Sequence, residues 1–177
     1  MEEAKVGGQD KKMMKILVAV DDSQGSLYAL SWAIDHLLTV AGTATAAAAA
    51  AELGSLILLH AQQPLHHYMY PVGPEVYATS SVIESVKKAQ EEHSRDVLNK
   101  ALHICQEKGI RAESIMVDGD PKDMICQTAE QMHVDLLIIG SRGLGTIKRA
   151  FLGSVSDYCA HHAKCPTLIV KPPKATH

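Results

Sequence analysis

The chain has 177 residues, 46% of them hydrophobic and 21% charged, which is typical of one globular domain and unlike a disordered chain. Its 17 basic residues are outnumbered by 20 acidic ones, so the formal charge is -3 and nucleic acid is not an expected partner. No run of about 18 apolar residues occurs and the N-terminus does not resemble a signal peptide, so we expect a cytoplasmic protein that does not contact membranes.

The organisation of the chain is expected to be simple. One domain is predicted at residues 15–171, between a flexible leader at 1–14 and a tail at 172–177. An alanine-rich insert occupies residues 41–53. Alanine favours helix, so the insert could extend a preceding helix or form a surface insertion, and we favour the surface insertion.

The first predicted elements are a strand and a helix. Residues 15–20 are rich in β-branched and aliphatic residues and stop at an Asp-Asp-Ser sequence, as a buried parallel strand followed by a loop does. Apolar residues then recur at spacings of three and four, which predicts a helix that Ser23 or Ser26 could cap.

A second strand is predicted at residues 56–60. It is followed at 62–80 by a loop rich in Pro, Tyr and Gly that is long for a compact domain, and such loops often border a site. A long helix ending at Gly109 is then predicted by an apolar stripe. The stripe consists of Val82, Val86, Ala89, Val97, Ala101 and Cys105.

The remaining elements continue the alternation. Strands are predicted at residues 110–117, 136–139 and 167–170. Pro121 is expected to begin the helix after the first of these, and a short helix is expected at 154–163. Alternating strands and helices predict an α/β fold with a five-stranded parallel sheet and helices on both faces. Ligands of such sheets lie beyond the carboxyl ends of the strands.

The segment most indicative of chemistry is rich in glycine. It has the pattern G-x-x-G, nine residues, then G-S, with glycines at Gly140, Gly143 and Gly153. Glycine permits positive φ angles and lets backbone N–H groups approach phosphate oxygens, although turns at strand ends need glycine for other reasons as well. Gly153 opens the last helix, whose free N–H groups and dipole favour an anion, and the hydroxyls of Ser154 and Ser156 add donors.

This pattern is neither a Walker loop nor a dinucleotide fingerprint. It resembles the ATP-binding signature of universal stress proteins at Gly140, Gly143, Gly153 and Ser154. Further family-like blocks occur in the same order at residues 16–21, 58–61, 119–121, 134–139 and 165–171, so the resemblance runs over most of the chain. The loop around residues 64–77 resembles plant members.

The resemblance implies an adenine-nucleotide α-hydrolase-like, Rossmann-like sandwich that binds adenine nucleotide. Adenine is expected near Asp21, Ala61 and Ile139, ribose near Gly119 and Gly140, and phosphates on the glycines and the start of the last helix. The nucleotide-binding residues implied are Ala19, Val20, Asp21, Ala61, Gly119, Ile139, Gly140, Arg142, Gly143, Gly153, Ser154, Val155 and Ser156. The family also implies a homodimer through the last strand, at Thr167, Leu168, Ile169 and Val170, an apolar edge.

Several residues have a second interpretation. Asp21 could cap a helix instead of meeting the nucleotide, and Arg142 could solvate its loop instead of contacting phosphate. The pairs His66-His67 and His161-His162 are favoured as surface histidines, because neighbouring side chains diverge and no spaced partner completes a metal site.

The cysteines are spread along the chain with no C-x-x-C pair, at Cys105, Cys126, Cys159 and Cys165. This distribution predicts free thiols in a reducing compartment. Cys159 and Cys165 could be redox sensors, but nothing around them predicts a lowered pKa, so inert thiols are favoured.

The favoured function is therefore a regulatory module that binds ATP, ADP or AMP, with Mg²⁺ when a triphosphate is bound. A slow ATPase and a chaperone-like protein with incidental nucleotide binding are the alternatives. No carboxylate and base stand out that would activate water, so no catalytic residue is predicted. The identity of any protein partner does not follow from the sequence.

Overall fold

A computed structural model describes residues 14–38, 54–64, 80–142 and 152–173 of the protein. The alanine-rich insert, nearly all of the predicted leader, most of the loop before the long helix and Gly143 lie outside the described residues. None of the helices in the described ranges is both long enough and apolar enough to cross a lipid bilayer.

Five parallel strands form one sheet, as the sequence predicts. They are β1 (Met14–Ala19), β2 (Gly54–Gln62), β3 (Ala112–Asp118), β4 (Leu136–Gly140) and β5 (Thr167–Val170). Their order across the sheet is β3-β2-β1-β4-β5, with every pair of neighbours parallel. The chain therefore adds β2 and β3 on one side of β1 and then crosses over to add β4 and β5 on the other side. Ligands bind at such a switch point, here between β1 and β4.

In the described ranges, four helices cover the two faces of the sheet. They are α1 (Gln24–Ala33), which continues into a π-helical segment at Ile34–Leu38, α2 (Ser80–Glu107), α3 (Pro121–Gln131) and α4 (Ser154–His162). The side chains of β1 alternate between two cores: Ile16 and Val18 pack with α1 and α2, and Leu17 and Ala19 pack with α3 and α4. The predicted arrangement of helices on both faces is confirmed.

Local sequence signals set the starts of α1 and α3. Ser23 is the N-cap of α1 and its hydroxyl accepts a hydrogen bond from Ser26 N at 3.2 Å. Asp120 is the N-cap of α3, accepting from Lys122 N at 3.3 Å, and Pro121 occupies the first turn as predicted. These short polar side chains satisfy backbone N–H groups that a helix start leaves without partners.

Helix α2 departs from the pattern that predicted it. The first buried side chain along it is Ser94, whereas Val82, Ile83 and Val86 are 51%, 40% and 46% exposed. With 28 residues, α2 is about 42 Å long, while the nine residues of β2 span about 30 Å. The helix is thus longer than the sheet, and its apolar stripe meets the core only in the second half.

A cleft at the carboxyl ends of β1, β2 and β4

A cleft of about 690 Å³ opens at the carboxyl ends of the three central strands. This volume lies in the range of small-molecule binding sites. Its lining includes every predicted nucleotide-binding residue in the described part of the chain except Gly119. Those residues are Ala19, Val20, Asp21, Ala61, Ile139, Gly140, Arg142, Gly153, Ser154, Val155 and Ser156. Residues that the sequence treats as separate blocks are therefore brought together at the predicted edge of the sheet.

Gly119 lies outside the cleft wall, directly after β3. Its N–H donates to Gln62 O at 2.9 Å, and its φ of +150° is one that other residues rarely adopt. A Cβ at this position would meet Met124 at 2.6 Å. The turn between β3 and α3 explains this glycine without a ligand, and its predicted contact with ribose stays a prediction.

The loop after β1 is held by a compact group of polar contacts. Asp21 Oδ1 accepts hydrogen bonds from the Ser23 N–H, at 3.0 Å, and from the Ser23 hydroxyl. The Ser26 hydroxyl donates to Asp21 O at 2.8 Å. Ser23 is therefore the helix cap, and Asp21 orients that cap with one carboxylate oxygen while lining the cleft.

His60 is a cleft residue that the sequence does not single out. It ends the continuous run of buried residues 56–60 in β2, is 8% exposed, and places Nδ1 at 2.9 Å from Val20 O. A carbonyl oxygen only accepts, so this contact places a proton on Nδ1 and leaves Nε2 of the neutral ring as an acceptor. Two features of the sequence could have pointed to His60: it lies at the carboxyl end of a predicted buried strand, and it belongs to a family-like block.

Polar residues of α2 complete the wall on the β2 side. The Ser94 hydroxyl donates to Gln62 Oε1 at 2.8 Å, and Gln90 Nε2 donates to Gln63 O. Gln90 Oε1 is buried, and the described residues give it no hydrogen-bond partner. All four of these residues line the cleft. The apolar stripe that predicts α2 carries no information about them.

An ion pair borders the same side of the cleft. Lys100 Nζ lies 2.7 Å from Asp22 Oδ1. This hydrogen bond lowers the pKa of Asp22 and raises that of Lys100. Both groups are open to solvent, so the pair keeps its charges at neutral pH but adds little to stability.

Two glycines let α1 approach β4 closely. A Cβ on Gly140 would lie 2.8 Å from Gly25 O and 3.1 Å from Ser26 N, and one on Gly25 would lie 2.5 Å from Arg142 O. Neither glycine has a positive φ. Gly140 is the last residue of β4 and does not have a positive φ, so close backbone contact with α1 accounts for glycine at this position.

The N-terminus of α4 faces the cleft without a side-chain cap. Its N-cap is Gly153, whose own N–H donates to Ser141 O at 2.9 Å. The next three N–H groups, of Ser154, Val155 and Ser156, have no acceptor among the described residues. They point with the positive end of the helix dipole toward the cleft, as a site for an anion requires.

The hydroxyl of Ser156 is used differently from what the sequence suggests. Ser156 is 2% exposed, and its hydroxyl lies 2.9 Å from Gly153 O and 3.1 Å from Ser141 O, both of which accept from it. Its single proton is thus directed into the protein and holds α4 against the end of β4. Ser154 is exposed at the cleft, so of the two predicted hydroxyl donors only Ser154 remains open to a ligand.

Comparison with known proteins identifies the family. The model of the universal stress protein family matches residues 13–171. The chain belongs to the universal stress protein family. Its sheet order, its helices on both faces and its cleft are those of the predicted adenine-nucleotide α-hydrolase-like, Rossmann-like sandwich.

Relatives of this universal stress protein occur in plants and bacteria. It is 34% identical over 96 residues to universal stress protein A-like protein of Arabidopsis thaliana, a match covering 54% of this chain and 55% of the relative. The chain thus spans about half the length of that relative. It is 31% identical over 157 residues to YxiE of Bacillus subtilis, covering 89% of this chain and 98% of YxiE.

A solved structure of a family member from Arabidopsis thaliana, crystallised with AMP bound, shares the fold. It superposes with a TM-score of 0.62 at 25% identity, covering 91% of this chain and 93% of the other. In this universal stress protein, the described part of the chain holds no group of three or more His, Cys, Asp or Glu residues arranged to bind a metal ion. His161 and His162 are both exposed on α4.

Proposed function

We propose that this universal stress protein binds an adenine nucleotide in the cleft and acts as a regulatory binding module. One observation carries the proposal: the uncapped N-terminus of α4 opens into the same cleft as the carboxyl ends of β1 and β2. The helix start offers three backbone donors and a favourable dipole for phosphate, while the strand ends supply an apolar and hydrogen-bonding wall for a base.

The orientation of the nucleotide follows from the order of the strands. The phosphates would lie on Gly153, Ser154, Val155 and Ser156, with Arg142 close by, and the base would lie across the strand ends, against Ala61 of β2, Ile139 of β4 and the loop at Asp21. β2 and β4 are separated by β1, so the two ends of the site are about 10 Å apart. A nucleoside phosphate extends over such a distance, with ribose between.

Adenine is the base we propose because a relative with this fold was crystallised with AMP bound. The number of phosphate groups that bind at the start of α4 decides whether AMP, ADP or ATP is the resident ligand. When a triphosphate is bound, we propose that Mg²⁺ accompanies it and is held mainly by phosphate oxygens and water, as is usual for this ion.

The test uses two substitutions at Gly153. A Cβ there would meet its nearest neighbours at ordinary contact distances of 3.5 Å, and the backbone angles of φ -69° and ψ 156° suit any residue. Asp and Asn are better N-caps than Gly by about a few tenths of a kcal/mol, because their side chains accept from the helix N–H groups. Gly153→Asp should therefore stabilise α4, occupy its donors and repel phosphate.

The measurement is calorimetric titration of wild type, Gly153→Asp and Gly153→Asn with AMP, ATP and adenosine. We expect Gly153→Asp to weaken AMP binding at least tenfold, Gly153→Asn to weaken it less, and adenosine binding to change little in either. Melting temperatures of both variants should equal or exceed that of wild type. Equal AMP affinity in all three proteins would show that phosphate does not bind at α4, and absence of nucleotide binding by wild type would overturn the function.

A further inference from the structure

A pair of thiols lies behind the cleft wall, apart from the nucleotide site. Cys126 on α3 and Cys159 on α4 have their sulfur atoms 3.7 Å apart, with the Cys126 thiol donating to Cys159 Sγ. Cys159 is fully buried and Cys126 is half-buried, so one member of the pair can be reached from solvent and the other cannot. The favoured expectation of inert thiols did not foresee that two of them would be neighbours.

The two helices that carry these thiols are also walls of the cleft. Ile125, directly before Cys126, lines the cleft, and so does Val155, one helical turn before Cys159. α3 and α4 pack against each other on the same face of the sheet. A covalent link between the two sulfurs would therefore join two neighbouring helices that both border the cleft.

We propose that Cys126 and Cys159 form an oxidisable pair that hydrogen peroxide converts into a disulfide between α3 and α4. Peroxide transfers one oxygen to the Cys126 sulfur, giving a sulfenic acid and one water molecule. The Cys159 sulfur then attacks the Cys126 sulfur, which releases the hydroxyl group as a second water molecule. Peroxide is reduced, two thiols are oxidised, and the protein loses two hydrogen atoms.

The geometry supports this assignment over the other cysteines. The sulfurs need to close from 3.7 Å to about 2.0 Å, a shift that side-chain rotation and small helix movements can supply. Cys105 lies in the core on the opposite face of the sheet, so it cannot form a disulfide with either thiol of the pair. Cys165 packs near the pair, and it is the competing partner that an experiment must separate.

The environment makes the reaction slow at neutral pH. Burial raises the pKa of both thiols, and Asp123 beside them acts in the same direction; the neighbouring Cys165 raises that of Cys159 further. The thiolate is the reactive form, so the oxidation rate should rise about tenfold per pH unit while the pH stays below these pKa values. We therefore expect the disulfide to form under sustained rather than brief exposure to peroxide.

Peptide mapping can locate the bond without any substitution. Cleavage after Lys and Arg leaves the four cysteines in separate peptides: Cys105 in 101–108, Cys126 in 123–142, Cys159 in 150–164, and Cys165 in the next. The full-length protein is freed of reductant, treated with hydrogen peroxide, blocked with iodoacetamide and digested without reduction. We expect the peptides of Cys126 and Cys159 to be linked, and dithiothreitol to separate them.

The control variants are Cys105→Ser, Cys165→Ser and Cys126→Ser. Cys105 is a matched control because burial alone raises its pKa, to about 11. We expect the intramolecular loss of two hydrogens to persist in Cys105→Ser and Cys165→Ser and to vanish in Cys126→Ser. A link from Cys126 to Cys165, links only between two chains, or sulfinic acids in place of a link in wild type would each overturn the proposal. The result does not depend on nucleotide binding.

Discussion

The contact between Gly25 and Gly140 decides how closely α1 approaches the end of β4. Each backbone occupies the space that a Cβ of the opposing segment would need, with distances of 2.5 Å to Arg142 O and 2.8 Å to Gly25 O. Both neighbours are backbone atoms, so they cannot move aside as the end of a flexible side chain would. This contact holds together the β1 loop, with Asp21, and the β4 loop, with Arg142.

We expect Gly140→Ala and Gly25→Ala each to lower the free energy of unfolding by about 1–3 kcal/mol, the usual cost of inserting atoms into a packed region. Urea denaturation followed by circular dichroism measures the change. Gly153→Asn is the matched control, because a Cβ there meets nothing closer than 3.5 Å. Unchanged midpoints in the two alanine variants would show that α1 can move away from β4 without cost.

Single residues also show where the sequence was and was not informative. It placed Gly140, Gly153 and Ser154 at the cleft, because their spacing matches a known signature. It could not reveal why Gly140 is glycine, since its contact Gly25 lies on a different element and was in no motif. His60 was missed because its role depends on a contact distant in sequence, with the carbonyl of Val20 directly after β1.

Elements with strong local signals were predicted closely. The strand at Thr167–Val170 has the predicted bounds, and α3 begins at Pro121 behind its Asp120 cap. The face of α2 was less predictable, because apolar spacing shows that a helix is amphipathic but not how far its partner sheet extends. Only the sheet, formed by strands distant in sequence, determines that the core begins at Ser94.

The overhanging half of α2 should be the less stable half. Its exposed apolar side chains Val82, Ile83 and Val86 gain little from burial, whereas Val97, Ala101 and Cys105 are buried in the core. We expect amide hydrogens of residues 82–90 to exchange at least tenfold faster than those of 97–105, in hydrogen exchange followed by mass spectrometry. Equal protection along α2 would indicate that another part of the protein, or a second copy, covers the first half.

At the scale of the whole molecule, β5 is the element most exposed to association. Within the described residues it pairs with β4 alone, so its other edge is open. On the side facing β4, Leu137 N donates to Pro166 O, and Ser141 N donates to Val170 O. Hydrogen-bonding groups alternate in direction along a parallel strand, so Thr167 and Ile169 direct theirs to the open edge. We propose that two copies pair there in an isologous dimer.

The alternation allows the edge to be altered without breaking the sheet. Ile169→Pro removes an outward N–H and leaves the bonds to β4 intact, and proline is tolerated on edge strands. By symmetry each dimer loses two hydrogen bonds, each contributing about 1 kcal/mol, so its dissociation constant should rise roughly tenfold or more. Light scattering over a dilution series measures this, with Ile169→Val as the control that keeps the N–H.

Because Ile169 also packs in the core, circular dichroism must show that the Ile169→Pro variant is folded. Thr167→Pro is a second substitution that removes an outward N–H. A folded variant that stays as dimeric as the control would place the dimer contact elsewhere, and a monomeric wild type would remove it.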